Sequence, residues 1–368
     1  MLASSIPSKF SIPFANSAGG AYIRTIPTAS QIGIVPGAAS LTDGFPPLNF
    51  LPTASGGIPP AGEDHNGILN QITKWSQWMA AGGQVPYDSV FSAAIGGYPS
   101  GAILLAASGT NLWISTADNN TTDPDTGGAG WVNLTAGRLL RTLRYRIVSG
   151  TQYVSINGGA DTTSAAGTYT PIAGMMTARV YGCGGGGPGS GATVSSGSNV
   201  SVAAAGGGAT YGEALLTAVT VGSSQGVTIG LAGAGASGGQ GSTGGTTSLG
   251  AIVEFPGGTA GTPLNNLAAP VIQGNGVQSG AATGANIYSS QNSTNEASIA
   301  ISNTSVIGGN GGDTPWGKGA RGNIINTAAA YPASGYGAGG AGIVLNNLGT
   351  LTVGNVGSNG VLFVKEYS

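Results

Sequence analysis

Ala178 to Ala192 reads ARVYGCGGGGPGSGA. The stretch Thr177-Ala178-Arg179-Val180-Tyr181 alternates like a strand and then runs straight into glycine. Similar runs recur downstream at AAAGGGATYG, GAGASGGQGSTGG, IGGNGGDTPWGKG and GYGAGGAG. Glycine inside an element costs roughly 0.5–1 kcal/mol relative to alanine. A chain with 70 glycines in 368 residues therefore needs a structural return for them. Two returns are available. Backbones without side chains between them can approach closely and share hydrogen bonds, for example as three-residue-per-turn helices of the polyproline II geometry. Identical chains can also intertwine, which removes sheet edges.

The surrounding pattern is β. GGATYGEALLTAVTV alternates and turns at GSSQG, GVTIGLAG returns, GTTSLGAIVEF ends at Pro256-Gly257-Gly258, and LTVGNVGSNGVLFVKEYS supplies closing strands. Charged residues are only 7% of the chain, against about 25% in ordinary soluble proteins. With a net charge of −2 there is no basic field for nucleic acid or an acidic membrane surface. An apolar content of 40% argues against disorder. Glycine lacks the strict period of collagen, and no apolar run approaches the roughly 18 residues of a membrane span. MLASSIPSKFSIPF lacks the basic start and apolar core of a signal peptide. Cys183 is the only cysteine, so no intrachain disulfide forms, as suits assembly in a reducing cytoplasm.

Toward the N-terminus, residues 1–60 are punctuated by proline, which excludes a long helix and predicts short extended pieces lying on another surface. Next, Ile68, Leu69, Ile72, Trp75 and Met79 follow helical spacing, and Gly82-Gly83 ends the run. The spacing predicts a helix over 64–81 with a narrow apolar stripe suited to symmetry copies. Residues 91–134 read as a small β unit, with DNNTTDPDTGG as a turn-rich loop. Its Asp118, Asn120, Asp123 and Asp125 suit Asx turns better than a calcium site. Arg138, Arg141, Arg144 and Arg146 follow, and are read as a solvated neck face because no glycine cradle adjoins them. The expected divisions are 1–84, 85–137, 138–180 and 181–368.

Several strings imitate catalytic motifs. GSSQG (Gly222 to Gly226) and GASGG (Gly235 to Gly239) match the serine-nucleophile pattern, but His65 is the only histidine and sits on the N-terminal helix. GKGARG (Gly317 to Gly322) matches GxGxxG but has no preceding apolar strand, and in GDTPWGKG (Gly312 to Gly319) Gly319 stands where a phosphate loop needs Ser or Thr. Beyond Arg179 the acidic residues Glu213, Glu254, Glu296, Asp313 and Glu366 are spread singly, unlike a glycosidase pair. No catalytic residue, cofactor or metal is expected. What remains is a binding surface. Trp316, Lys318, Arg321, Tyr331 and Tyr336 cluster among small residues and suit sugar rings or a protein loop. Tyr288, Gln291 and Asn292 are weaker candidates.

The N-terminal third resembles the tail fibre proteins of tailed bacteriophages. The resemblance is carried by PFANSAG, by IPTASQIGIVPGAASLTDGFPPLNFLPTASGGIPPAGEDHNGILNQIT and by PYDSVFSAAIGGYPSGAILLAASGTNLWISTADNNTTDPDTGGAGWVNL. The C-terminal part is similar to the glycine-rich domain at the ends of such fibres, through GTYTPIAGMMTARVYGCGGGG, ATYGEALLTAVTV, GVTIGLAGAG, GGTTSLGAIVEF and GVLFVKEY. It departs from that pattern at Val271 to Ser305, which is richer in Asn and Ser. The resemblance implies a mainly β, elongated fibre assembled in the host cytoplasm. It has an extended N-terminal attachment region, one helix near 64–81, a small β domain and a glycine-rich β tip. Residues 1–84 would join other tail or baseplate proteins, with Phe10, Phe14, Phe45 and Phe50 as anchors. The tip, 181–368, would recognise a bacterial glycan, pilus or outer-membrane protein during host adsorption. Low charge and the stripe Ile68, Leu69, Ile72, Trp75 and Met79 point to a homotrimer, without nucleic acid or membrane insertion. The alternatives are a polysaccharide-degrading tailspike and a purely structural tail component.

Overall fold

The structure, a computed structural model, describes residues 7–274, 279–291, 295–322, 325–326 and 331–368. It is mainly β, with several antiparallel sheets and few helices, and divides into two units, Met1–Leu134 and Thr135–Ser368. Among the described residues no helix is long and apolar enough to cross a membrane.

In the first unit a second, short helix not expected from the sequence, Ser89–Ile95, is capped by Asp88, which accepts the Val90 and Phe91 N–H groups. The long helix is Gly62–Ala80, with Glu63 and Asp64 in its first turn, where they complement the helix macrodipole. Its buried side is Asp64, Gly67, Asn70 and Thr73, small and polar rather than apolar. The proline-punctuated segment lies along this side and is bound through backbone groups. Asp64 pairs with Arg24 and accepts the Ala39 N–H at 2.8 Å. Asn70 donates to the Phe14 carbonyl at 2.6 Å, and Thr73 accepts the Phe14 N–H at 2.9 Å. Gly67 is required by contact: a Cβ there would stand 2.0 Å from the Arg24 carbonyl oxygen. The stripe predicted for symmetry copies faces outward, with exposure from 40% at Leu69 to 66% at Met79, and Ile68 half-buried.

The same unit holds an antiparallel sheet of Ile103–Leu105, Leu112–Ser115 and Trp131–Asn133. Tyr98 is buried in its core, with the rings of Tyr87, Phe91 and Trp131 about it. The acidic loop is occupied with turn chemistry. Asp118 accepts the Ser100 N–H, Asp123 the Asp125 N–H, and Asp125 both the Ala107 N–H and the Trp113 indole.

The second unit is built on a six-stranded antiparallel sheet. Its order is Tyr288–Ser290, Tyr211–Thr217, Thr177–Cys183, Val361–Tyr367, Leu139–Val148 and Thr151–Ile156. Residues 138–180, read as neck strands, thus give three strands to the same sheet as the C-terminus. Inward-facing Tyr145, Val154, Val180, Leu362 and Val364 pack on Tyr169, Val227, Leu249, Val253 and Phe255 of a second, four-stranded sheet. Inside this sandwich the Glu366 carboxylate is fully buried. It accepts two bonds from Arg141, at 2.5 and 2.8 Å, one from the Tyr169 hydroxyl at 2.8 Å and one from the Ile172 N–H at 3.1 Å.

The glycine run follows directly from the Thr177–Cys183 strand. The N–H groups of Gly186, Gly189 and Ala192 donate to the carbonyls of Ser358, Asn355 and Thr352. Those of Gly187 and Ser190 donate to Gly207 and Ala204, and those of Gly185 and Gly191 to Gly245 and Gly239. Every third residue therefore addresses the same neighbour, which is the signature of a three-residue-per-turn helix. Pro188 falls on the third face, where its missing N–H interrupts one donor site. The carbonyls of Gly185, Gly186, Gly187 and Pro188 accept from Gly258, Gly233, Gly340 and Gly261. The central segment is thus wrapped by other extended segments on all sides and satisfies its buried backbone as a sheet or α-helix would. A β-sandwich continues into a bundle of polyglycine helices, so close backbone approach is one return for the glycines.

Candidate functional site

The outward face of the six-stranded sheet is set by register. One row crosses all six strands as Tyr288, Glu213, Tyr181, Phe363, Arg144 and Ser155. The next holds Leu215, Arg179, Lys365 and Thr142. A third runs through Tyr211, Cys183, Val361, Arg146 and Tyr153. Strand alternation puts all of these opposite the core.

Trp316 lies over this face, with its ring centroid 5.2 Å from Phe363, 6.0 Å from Tyr181 and 6.5 Å from Tyr211. Tyr181 and Phe363 are stacked at 5.1 Å. Arg179 and Lys365 both approach the Tyr181 ring, at 5.9 and 5.7 Å. Arg179 is bonded to Glu213, which raises its pKa, while burial first and then Glu213 raise that of the Tyr211 hydroxyl. Arg144 and Arg146 share Asp161, and the bond from Arg146 is the main cause holding that carboxyl below its usual range. The arginines read as a solvated neck face therefore belong to this sheet, and Arg141 points into its core.

The five residues singled out in the sequence fall into two groups. Trp316 joins the aromatic face, and Tyr336 packs near Cys183, Ala209 and Val361. Lys318, Arg321 and Tyr331 instead line a groove of 1070 Å³ with Asn295, Glu296, Asn310 and Asp313. Arg321 lies 5.7 Å from the Tyr331 ring centroid, and Lys318 Nζ is 2.6 Å from Asp313. Burial opposes ionisation of Asp313, but Lys318 and the Gly319 N–H outweigh it and hold the carboxyl below its usual range. Tyr288 stands at the sheet edge beside Tyr211, at 5.8 Å, and Gln291 follows that edge strand; Asn292 lies outside the described residues. Sequence reading missed Arg179, Tyr181, Tyr211, Phe363 and Lys365 because three distant strands supply them. Their signal was present as the outward positions of Arg179-Val180-Tyr181 and Phe363-Val364-Lys365.

In the first unit Phe10, Phe14 and Phe50 are exposed, whereas Phe45 stacks on His65 at 4.8 Å. Among the described residues no group of three or more His, Cys, Asp or Glu is placed to hold a metal. No family model matches the chain, and no curated protein matches it significantly.

Proposed function

We propose that the chain is a virion tail fibre of a tailed bacteriophage, trimeric and elongated. Its N-terminal unit attaches to the tail, and its glycine-rich unit is a non-enzymatic tip that binds a receptor on the bacterial surface. The observation that carries this reading is the exposed aromatic and cationic surface around Trp316, mounted on a bundle whose interior is closed by backbone hydrogen bonds. Such a scaffold holds loops and rings rigidly, the rings on a sheet backed by the sandwich core and the loops on the hydrogen-bonded bundle. The outward stripe of Ile68, Leu69, Ile72, Trp75 and Met79 supports assembly with copies of itself. The resemblance of the N-terminal third supports tail attachment, with Phe10, Phe14 and Phe50 as exposed anchors and Phe45 holding the segment in place.

The test is adsorption of the purified chain to bacteria. Trp316→Ala and Arg321→Ala should both reduce binding. Arg321→Ala should do so with the melting temperature near that of the parent, and Trp316→Ala with the chain still folded at the assay temperature, though less stable through the lost ring packing. Full adsorption by the Trp316 variant would remove the aromatic face from the receptor site, and full adsorption by the Arg321 variant would remove the groove. Phe10→Ser with Phe50→Ser should spare adsorption but prevent incorporation into virions. A deletion of 1–60 is a poorer test, because it would strip the partners of Asp64 and Asn70.

One observation favours the polysaccharide-degrading alternative: Glu296 and Asp313 line the same groove. A general acid needs a raised pKa, and that of Asp313 is lowered. Release of reducing ends from host polysaccharide, abolished by Glu296→Gln, would establish the enzyme.

A further inference from the structure

Charge is scarce in this chain and unevenly placed. Residues 1–134 carry three Lys and Arg against seven Asp and Glu, whereas residues 135–368 carry eight against six. Four of those eight, Arg144, Arg146, Arg179 and Lys365, stand on the outward face of one sheet, with Asp161 and Glu213 as the only carboxylates bonded there among the described residues. Arg179 and Lys365 lie directly opposite one another in register. Like charges in that position destabilise a sheet. Glu213 relieves one of them; Lys365 has no ion-pair partner among the described residues, and its ammonium lies 5.7 Å from the centroid of the Tyr181 ring. Nearly half of the Arg179 side chain is exposed. A fold that uses charge so sparingly keeps an incompletely compensated cation pair beside exposed aromatic rings.

We propose that this face binds an acidic saccharide, a surface polysaccharide whose sugars carry carboxylates. The inference rests on the receptor-binding reading and names the ligand class for that surface. The carboxylate sits over Arg179 and Lys365, where the guanidinium still has donors free for a planar anion and the ammonium supplies a point charge. The sugar ring lies on the exposed faces of Trp316 and Tyr288, which are apolar on the ring and flanked by polar groups. Complementarity selects this occupant. The positive face selects an anion, and its aromatic floor selects, among anions, one that carries rings.

The test uses the full chain and three probes: an oligouronate, the same oligosaccharide with its carboxyls reduced to alcohols, and polyglutamate of similar charge. Calorimetry should detect binding to the oligouronate alone, at least ten-fold weakened by Lys365→Glu, whose melting temperature should not fall because a like-charge pair is removed, and by Trp316→Ala, measured well below its own melting temperature. Equal binding of the reduced sugar would overturn the role of the cations. Equal binding of polyglutamate would overturn the saccharide. A change of sedimentation with Lys365→Glu would make the face a contact between copies and overturn the proposal. Adsorption to cells run alongside separates the two readings: adsorption without oligouronate binding rejects the acidic saccharide and leaves the adhesin, whereas no adsorption to any bacterium rejects the adhesin itself.

Discussion

Gly185 and Leu231 approach so closely that a Cβ on Gly185 would stand 1.9 Å from the Leu231 carbonyl oxygen. The same distance recurs from Gly186 to Ala338 and from Gly187 to Thr259. Each obstacle is backbone, so no rotamer change relieves it. Gly185→Val must push apart neighbouring helices that share hydrogen bonds, and overpacking alone costs about 1–3 kcal/mol. Loss of at least about 3 kcal/mol is expected in denaturant unfolding of the second unit. Gly226 is the control. A Cβ there meets nothing within 4 Å, so Gly226→Ala should leave stability unchanged or raise it slightly. Equal effects at the two positions would mean the glycines act only as spacers.

The Glu366 network yields a second expectation. Removing one partner of a buried pair costs about 3–5 kcal/mol, whereas replacing both by apolar groups is often neutral. Glu366→Leu alone leaves Arg141 facing the sandwich core without its carboxylate, and should lower the melting temperature strongly. Arg141→Met with Glu366→Leu should recover much of the loss. A double variant as unstable as the sum of the singles would show that the two residues act independently.

The sequence disclosed the helix but not the face that it buries. Periodicity reports apolar spacing, and here the apolar stripe is the exposed one. The buried face consists of Asp64, Gly67, Asn70 and Thr73, whose partners are backbone groups of a proline-rich segment, and no hydropathy pattern encodes that. The strand entering glycine at Tyr181 was legible, as was the possibility of three-residue-per-turn helices. Which segment neighbours which was not, because a glycine helix carries no side-chain code; adjacency comes from the flanking strands. Tyr211–Thr217, Thr177–Cys183 and Val361–Tyr367 are neighbours in the sheet, and the segments 204–207, 184–192 and 352–358 are neighbours in the bundle. Trp316 was visible as a lone aromatic among small residues, but its ring partners Tyr181 and Phe363 lay 135 and 47 positions away.

Assembly can be tested on the outward stripe. Ile72 is 54% exposed in the single chain, so Ile72→Asp should leave the helix intact there. Across an apolar contact between copies, an unpaired carboxylate costs several kcal/mol, and each copy would bring one. Sedimentation should therefore show trimers for the parent chain and monomers for the variant at micromolar concentration, with unchanged helical circular dichroism. A parent chain that sediments as a stable monomer would exclude the trimer.

Cys183 joins the sheet to the glycine bundle and is completely buried. Burial pushes its thiol up to about 12, against a small opposing effect of a backbone hydrogen bond with Val361. Since the thiolate is the reactive form, the native protein should resist thiol reagents at pH 8, and labelling should track unfolding. The sign of the pH effect follows. Above pH ~8.5 the unfolded thiol loses its proton while the native one keeps it, so the native state binds more protons and stability falls as pH rises. Between pH ~8 and 9, where unfolded tyrosines with a pKa of ~10 are still mostly protonated, that slope belongs mainly to Cys183. Cys183→Ala should flatten it while lowering stability at neutral pH through the lost packing. Rapid labelling of the folded chain, or a slope between pH ~8 and 9 that survives the substitution, would place the thiol in contact with solvent and contradict the close-packed junction.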